Sequence, residues 1–218
     1  MFMSLEEILV NIQKTLKERE EALDEIHQIT RKLIRISKQT IFLIHQGKYE
    51  EARRKLSEAD GYVSEVKQIH KGLDSLHGLV TTALQEVAEA HILLNLLEHE
   101  TFIEPFEIDI PPIPYVLGLA DVVGELRRAI LDLIKENRID EAEKKLEIME
   151  LIYHDLTTVE DLLLLVPGLR RKCDIARRIV EATRGDLTIE KRRSSLERSI
   201  RELVEIVEEE KERKRLEG

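Results

Sequence analysis

Glu86 and Glu89 lie in LVTTALQEVAEAHILLNLL, and Asp121 and Glu125 lie in YVLGLADVVGELRRAILDLI, two of the most apolar stretches of the chain. An amphipathic helix normally buries carbon at such positions, and these stretches do not supply a neighbouring lysine or arginine to every carboxylate. A lone buried carboxylate is costly unless it is paired or bound to a cation. Carboxylates gathered on two core helices therefore point to a metal site. Asp121 and Glu125 stand one helical turn apart, so both can converge on one point. Oxygen-rich sites of this kind suit hard divalent ions such as Mg²⁺ or Mn²⁺. Those ions polarise phosphoryl oxygens and lower the pKa of a bound water, which supports phosphodiester hydrolysis. A structural account stays open beside this one. Glu125 can pair with Arg128, Asp121 can hydrogen-bond across a helix contact, and Glu86 and Glu89 can face a solvent channel.

A second set of residues is basic. Arg31, Arg35 and Lys38 are spaced i, i+4, i+7, which puts them along one helical face. Further cations cluster at Arg170, Arg171 and Lys172, at Arg177 and Arg178, and at Lys191, Arg192 and Arg193. A solvated helix face explains such a stripe without any ligand. The formal net charge of −10 argues against non-specific nucleic-acid binding by the chain as a whole, yet phosphate affinity comes from local cations. Cys173 is the single cysteine, and its neighbours Arg171 and Lys172 are of a kind that lowers a thiol pKa. Packing is nonetheless the ordinary role of a lone helical cysteine. Tyr115 is read as packing too. His91 and His99 form no Glu-x-x-His pair of the di-iron type, and the isolated glycines build no phosphate loop.

The elements that must position these residues are helices almost throughout. With 42% hydrophobic, 36% charged and 4% aromatic residues and no Trp, the chain reads as all-α with an aliphatic core. The first helix runs from Leu5 to about His45, with Ser4 and Glu7 as a capping box and Gly47 as its stop. At about 60 Å it is long for a globular helix and suggests an extended bundle or an oligomer scaffold. A second helix spans Tyr49 to about Lys71, ended by Gly72, and a third spans about Leu76 to Glu98. The proline-rich stretch of residues 100–114 is read as a crossover loop. A fourth helix spans Tyr115 to Glu136, closed near Asn137, and a fifth reaches from Asp140 to about Leu165, broken by Pro167 and Gly168. A sixth covers Leu169 to about Thr183, the Arg184-Gly185-Asp186 stretch makes a turn, and a last helix runs from Thr188 to about Glu212. The expectation is a single all-α domain over residues 1–218, a bundle of about seven helices. No window of 18 or more apolar residues offers a membrane span. No signal peptide is evident and the cysteine usage fits a reducing compartment, so the expected location is cytoplasmic.

QEVAEA (Gln85 to Ala90) followed by YVLGLADVVGEL (Tyr115 to Leu126) resembles the translin superfamily, and within it the translin-associated factor X branch. The stretches REEALDEIHQITRKLIRISKQTIFLIHQ and IARRIVEATRGD are similar to the family's long first helix and its penultimate helix and turn. The resemblance implies a seven-helix bundle that assembles into a hollow octameric barrel. It also implies a metal-dependent endoribonuclease whose catalytic and metal-holding carboxylates match Glu86, Glu89, Asp121 and Glu125. Arg31, Arg35 and Lys38 would correspond to the surface that contacts RNA, single-stranded or short duplex. The implied cofactor is Mg²⁺ or Mn²⁺ and the implied partner, beyond RNA, is a second copy of the chain. Pro114 departs from the family pattern, which usually has an acidic residue there. Two further readings follow from the same residues: an RNA-binding oligomer without turnover, and an all-α nucleotide pyrophosphohydrolase. The latter group usually shows a second E-x-x-D, where this chain has D-x-x-x-E.

Overall fold

The computed structural model describes residues 4–70 and 77–216, and among them it contains seven helices and no strand. They are α1 (Leu5–His45), α2 (Tyr49–His70), α3 (His77–His99), α4 (Pro112–Lys135), α5 (Ile139–Thr158), the single turn α6 (Leu162–Leu165) and α7 (Leu169–Leu216). The expected boundary residues Lys71, Gly72 and Leu76 lie outside the described residues. No helix is long and apolar enough to cross a membrane among the residues described.

The chain divides into two compact units. One is Met1–Val122 with Leu163–Lys172, and the other is Val123–Leu162 with Cys173–Gly218. In the first unit α1, α2 and α3 pack on one another. The start of α1 is fixed by Ser4, whose hydroxyl accepts from the Glu7 amide at 3.2 Å while the Glu7 carboxylate accepts from the Ser4 amide at 2.8 Å. Its end is fixed by Gly47 at φ +70°, where Gly47 N–H donates to Ile44 and Lys48 N–H to Leu43. The seam Ile26, Thr30, Leu33, Ser37, Thr40 and Ile44, spaced by fours and threes, is wholly buried. The hydroxyls of Thr30 and Ser37 donate back to the carbonyls of Ile26 and Leu33, so these two polar groups enter the core with partners. In α3 nearly every face is covered: Ala83, Leu84, Val87, Ala88, Ala90 and Ile92 are all buried.

In the second unit α5 contributes Ala142, Leu146, Met149 and Ile152 to the core. The C-terminal part of α4 adds Val123, Leu126 and Ile130, and α7 adds Ala176, Val180 and Leu187. Asn137, at φ +58°, closes α4 as Gly47 closes α1, with Arg138 N–H donating to Leu133 at 2.9 Å.

Three boundaries differ from expectation. First, α4 begins at Pro112 rather than Tyr115, because the first helical turn has no intrahelical use for its N–H groups and accepts proline. Second, α5 stops at Thr158, seven residues short of Leu165. Thr157 and Thr158 return their hydroxyls to the carbonyls of Tyr153 and His154, Val159 is extended and Asp161 sits at φ +62°. Third, Arg184-Gly185-Asp186 is not a turn, and α7 runs through it as one helix of 48 residues. Asp186 accepts from Arg127 Nη2 at 2.9 Å, Thr183 accepts from Arg127 Nη1 at 2.8 Å, and Thr188 donates to the Arg184 carbonyl. One glycine costs a helix only about 1 kcal/mol relative to alanine, less than these contacts return.

A pair of glycine variants tests the difference between a turn and a helix at this point. A side chain at Gly185 would meet nothing within 4 Å, and the backbone is helical. Gly185→Ala is therefore expected to raise stability in urea by about 0.5–1 kcal/mol. Gly47→Ala, equally uncrowded but at positive φ, is expected to lower it by about 1 kcal/mol. Destabilisation by Gly185→Ala would restore the turn.

Candidate active site and nucleic-acid interface

The carboxylates are positioned by a backbone contact between α3 and α4. A Cβ on Gly118 would stand 2.7 Å from the Gln85 carbonyl oxygen and 3.0 Å from both Ala88 Cβ and Glu89 N. Only glycine lets α4 approach this closely. Gly118, Asp121 and Glu125 follow at i, i+3 and i+7, so they share one stripe of α4. The close approach brings the Asp121 carboxylate to α3, where Gln85 Nε2 donates to its Oδ2 at 2.5 Å.

Asp121's other oxygen, Oδ1, accepts from the ammonium of Lys172, in the first turn of α7. Both partners of this ion pair are mostly shielded, with side chains 30% and 24% exposed. The cation for this carboxylate thus comes from 51 residues away, which no local reading of α4 could supply. Sequence reasoning grouped Lys172 with Arg170 and Arg171 as a surface cluster. The signal that separates them is helical phase at the entry to α7, since Arg170 and Arg171 are exposed and Lys172 is half-buried.

On α3, Glu89 is buried, at 8% exposure, and Glu86 is half-buried. The helix is covered on most of its circumference, so no single stripe defines inside. Glu125 is half-buried and stands 4.0 Å from Arg128, the pairing that its sequence spacing allows. None of these three glutamates is without a partner. Among the described residues, no three His, Cys, Asp or Glu side chains are gathered as a metal-holding group.

The basic candidates are on the open face of α1. Arg31, Arg35 and Lys38 are all exposed, and no ion pair among the described residues engages them. Lys32, next in sequence to Arg31, is occupied elsewhere, with its ammonium 5.1 Å from the centre of the Tyr62 ring. His91, on α3, is tied to Asp60 at 2.9 Å.

Tyr115 anchors the stretch before α4, donating its hydroxyl to the Ile103 carbonyl at 2.6 Å. Burial, with the nearby Glu104 and Glu107 carboxylates, raises the phenol above its ordinary pKa and keeps it a donor. Cys173 is buried. Desolvation, with Asp174 beside it, pushes its thiol pKa up rather than down, so the lowering expected from Arg171 and Lys172 does not occur.

The structure thus defines an all-α protein with a glutamate pair on a buried helix, an aspartate held against that helix, and a cationic face on a long N-terminal helix. The chain belongs to the Translin family, whose model matches residues 21–183. It is 33% identical over 175 residues to an uncharacterised protein of Methanocaldococcus jannaschii, covering 79% of this chain and 78% of that one. It is 26% identical over 174 residues to the translin-associated protein X homolog of Schizosaccharomyces pombe, covering 72% and 75% of the two chains. Among solved structures it is similar to the protein in the AfC3PO–duplex RNA complex. That match has a TM-score of 0.75 at 35% identity, over 84% of this chain and 96% of the other.

Because Gly118 faces backbone atoms, Gly118→Ala is expected to force α4 away from α3 and cost about 1–3 kcal/mol in a urea titration. An unchanged midpoint would mean that the two helices do not touch there.

Proposed function

We propose that this protein binds RNA and hydrolyses its phosphodiester bonds with a divalent cation, inside a hollow oligomer of its own chain. One observation carries the reading. Gly118 lets α4 approach α3 at the Glu89 backbone, with Asp121 reaching Gln85 across the contact, in a chain 35% identical to a protein solved with duplex RNA. The Translin match gives no support to the nucleotide pyrophosphohydrolase alternative.

The donor set fits a hard cation in kind, being carboxylate oxygen throughout. Glu86, Glu89 and Asp121, with Glu125 one turn further along α4, would hold Mg²⁺ or Mn²⁺. Such an ion supplies a water of lowered pKa and stabilises charge developing on the phosphate. The chain's own residues set the conditions. Asp121 would keep its Gln85 hydrogen bond as an orienting contact, with the Lys172 ammonium as a competitor for its other oxygen. That ammonium is also a donor suited to phosphate oxygen. One glutamate of the set accepts the proton of the attacking water. Arg31, Arg35 and Lys38 hold the RNA backbone without reading its sequence.

The α1 seam supports assembly. Leu5, Leu9, Ile12 and Leu16 extend the spacing of the buried seam, yet all four are exposed. On α7, Leu196, Ile200, Leu203 and Val207 repeat the same rhythm and are exposed as well. Stripes of this kind are coiled-coil surfaces awaiting a partner helix. We assign them to contacts between copies, with an octamer as the closed form. Light scattering is expected to give a particle near eight times the 25.4 kDa chain mass. A monomer would end the barrel reading.

The nuclease reading is tested with labelled single-stranded RNA in Mn²⁺ or EDTA. Cleavage is expected with Mn²⁺, none with EDTA, and a loss of at least about 100-fold in Glu86→Ala/Glu89→Ala, which removes half the carboxylates. Lys172→Met is expected to lower the Mn²⁺ concentration needed for half-maximal binding by about tenfold, because an internal competitor worth roughly 1.4 kcal/mol is gone. RNA binding without cleavage under any metal would leave a binding protein.

A further inference from the structure

We propose that Phe42 is a stacking platform for an unpaired nucleic-acid base, set at the end of the Arg31–Arg35–Lys38 stripe. The inference deepens the RNA-binding reading and rests on it. Residues 31, 35, 38 and 42 step by four, three and four along α1, which keeps all four side chains within about 60° of arc. The face runs about 17 Å along the helix axis. Its opposite side, Ile26, Leu33 and Ile44, is buried against the rest of its unit, so this face is the outward one.

Phe42 is 54% exposed, although Ile41 beside it is in the core. The molecule does not place phenylalanine inside at all among its described residues: the core is aliphatic, and Phe42, Phe102 and Phe106 are exposed. Their electrostatic settings differ. Phe102 and Phe106 lie between α3 and α4 among Glu100, Glu104 and Glu107, a setting that repels a polyanion. Phe42 lies one turn from Lys38 and two turns from Arg35, a setting that draws one in. A cationic track that follows the backbone, joined to an aromatic face on which a base can stack, is the chemistry by which single strands are held without sequence preference. A polynucleotide with an unpaired base satisfies both halves at once.

The test measures binding of a labelled single-stranded oligoribonucleotide, and of its blunt-ended duplex, by fluorescence anisotropy over a range of salt with EDTA present. Phe42→Ala is expected to weaken single-strand binding by about 5- to 100-fold while leaving the salt slope and duplex binding nearly unchanged. Phe42→Tyr is expected to retain single-strand affinity, since it keeps the ring. Arg35→Ala is expected to flatten the salt slope by about 0.7 on single strands. Equal single-strand affinity in Phe42→Ala and the natural protein would overturn the assignment and leave RNA binding intact. A change of particle mass in Phe42→Ala by light scattering would overturn it in favour of a subunit contact. Failure of the natural protein to bind either RNA would remove the assignment together with the reading beneath it.

Discussion

The approach of α4 to α3 at Gly118 is the constraint on which the acidic site depends. Two helix backbones meet where a single methyl group would collide with a carbonyl oxygen at 2.7 Å. Everything polar nearby follows from that distance. Gln85 reaches Asp121, and Glu89 is buried on a helix whose other buried side chains are aliphatic among the described residues. The same contact leaves the Asp121 side chain 30% exposed, and Lys172 pairs with it from α7. Such a setting is charged and apolar at once, and the charge of its aspartate is balanced by a lysine distant in sequence.

Much of the first unit was legible because its signals are local. The bounds of α1 follow from one capping box and one glycine at positive φ, both of which leave a fixed residue pattern. The pairing of Glu125 with Arg128 was visible for the same reason, being three residues long. What the sequence hid was non-local. Gly185 looks like punctuation until Arg127 is known to bind both Thr183 and Asp186, which holds the helix through it. Pro112 and Pro114 look like loop until the helix is seen to begin on them. Lys172 looks like surface charge until its phase on α7 is fixed. The relative burial of Glu86 and Glu89 is not legible, because a helix covered on most sides carries no amphipathic signal.

Membership of the Translin family and the duplex RNA complex of a similar protein give the basic stripe of α1 its interest. Net charge alone argues the other way, at −10. The two are reconciled by distribution. Arg31, Arg35 and Lys38 keep their full charge available because no carboxylate among the described residues neutralises them, while several lysines and arginines of α7 are tied up in ion pairs such as Lys191–Glu143 and Arg184–Glu150. Local field, not total charge, governs where a polyanion settles.

The seam of α1 carries one spacing through two thermodynamic environments. From Ile26 to Ile44 it is covered by the chain's own helices, so that half is held by a unimolecular free energy. From Leu5 to Leu16 the same seam meets solvent, and an isolated helical stretch of that length is marginal in water. In the proposed oligomer its order would be set by mass action, rising with chain concentration as any surface that binds the folded form raises apparent stability. One covalently continuous helix would then melt from its N-terminal end on dilution while its C-terminal half stayed intact, making about the first three turns of α1 a concentration gauge built into a structural element.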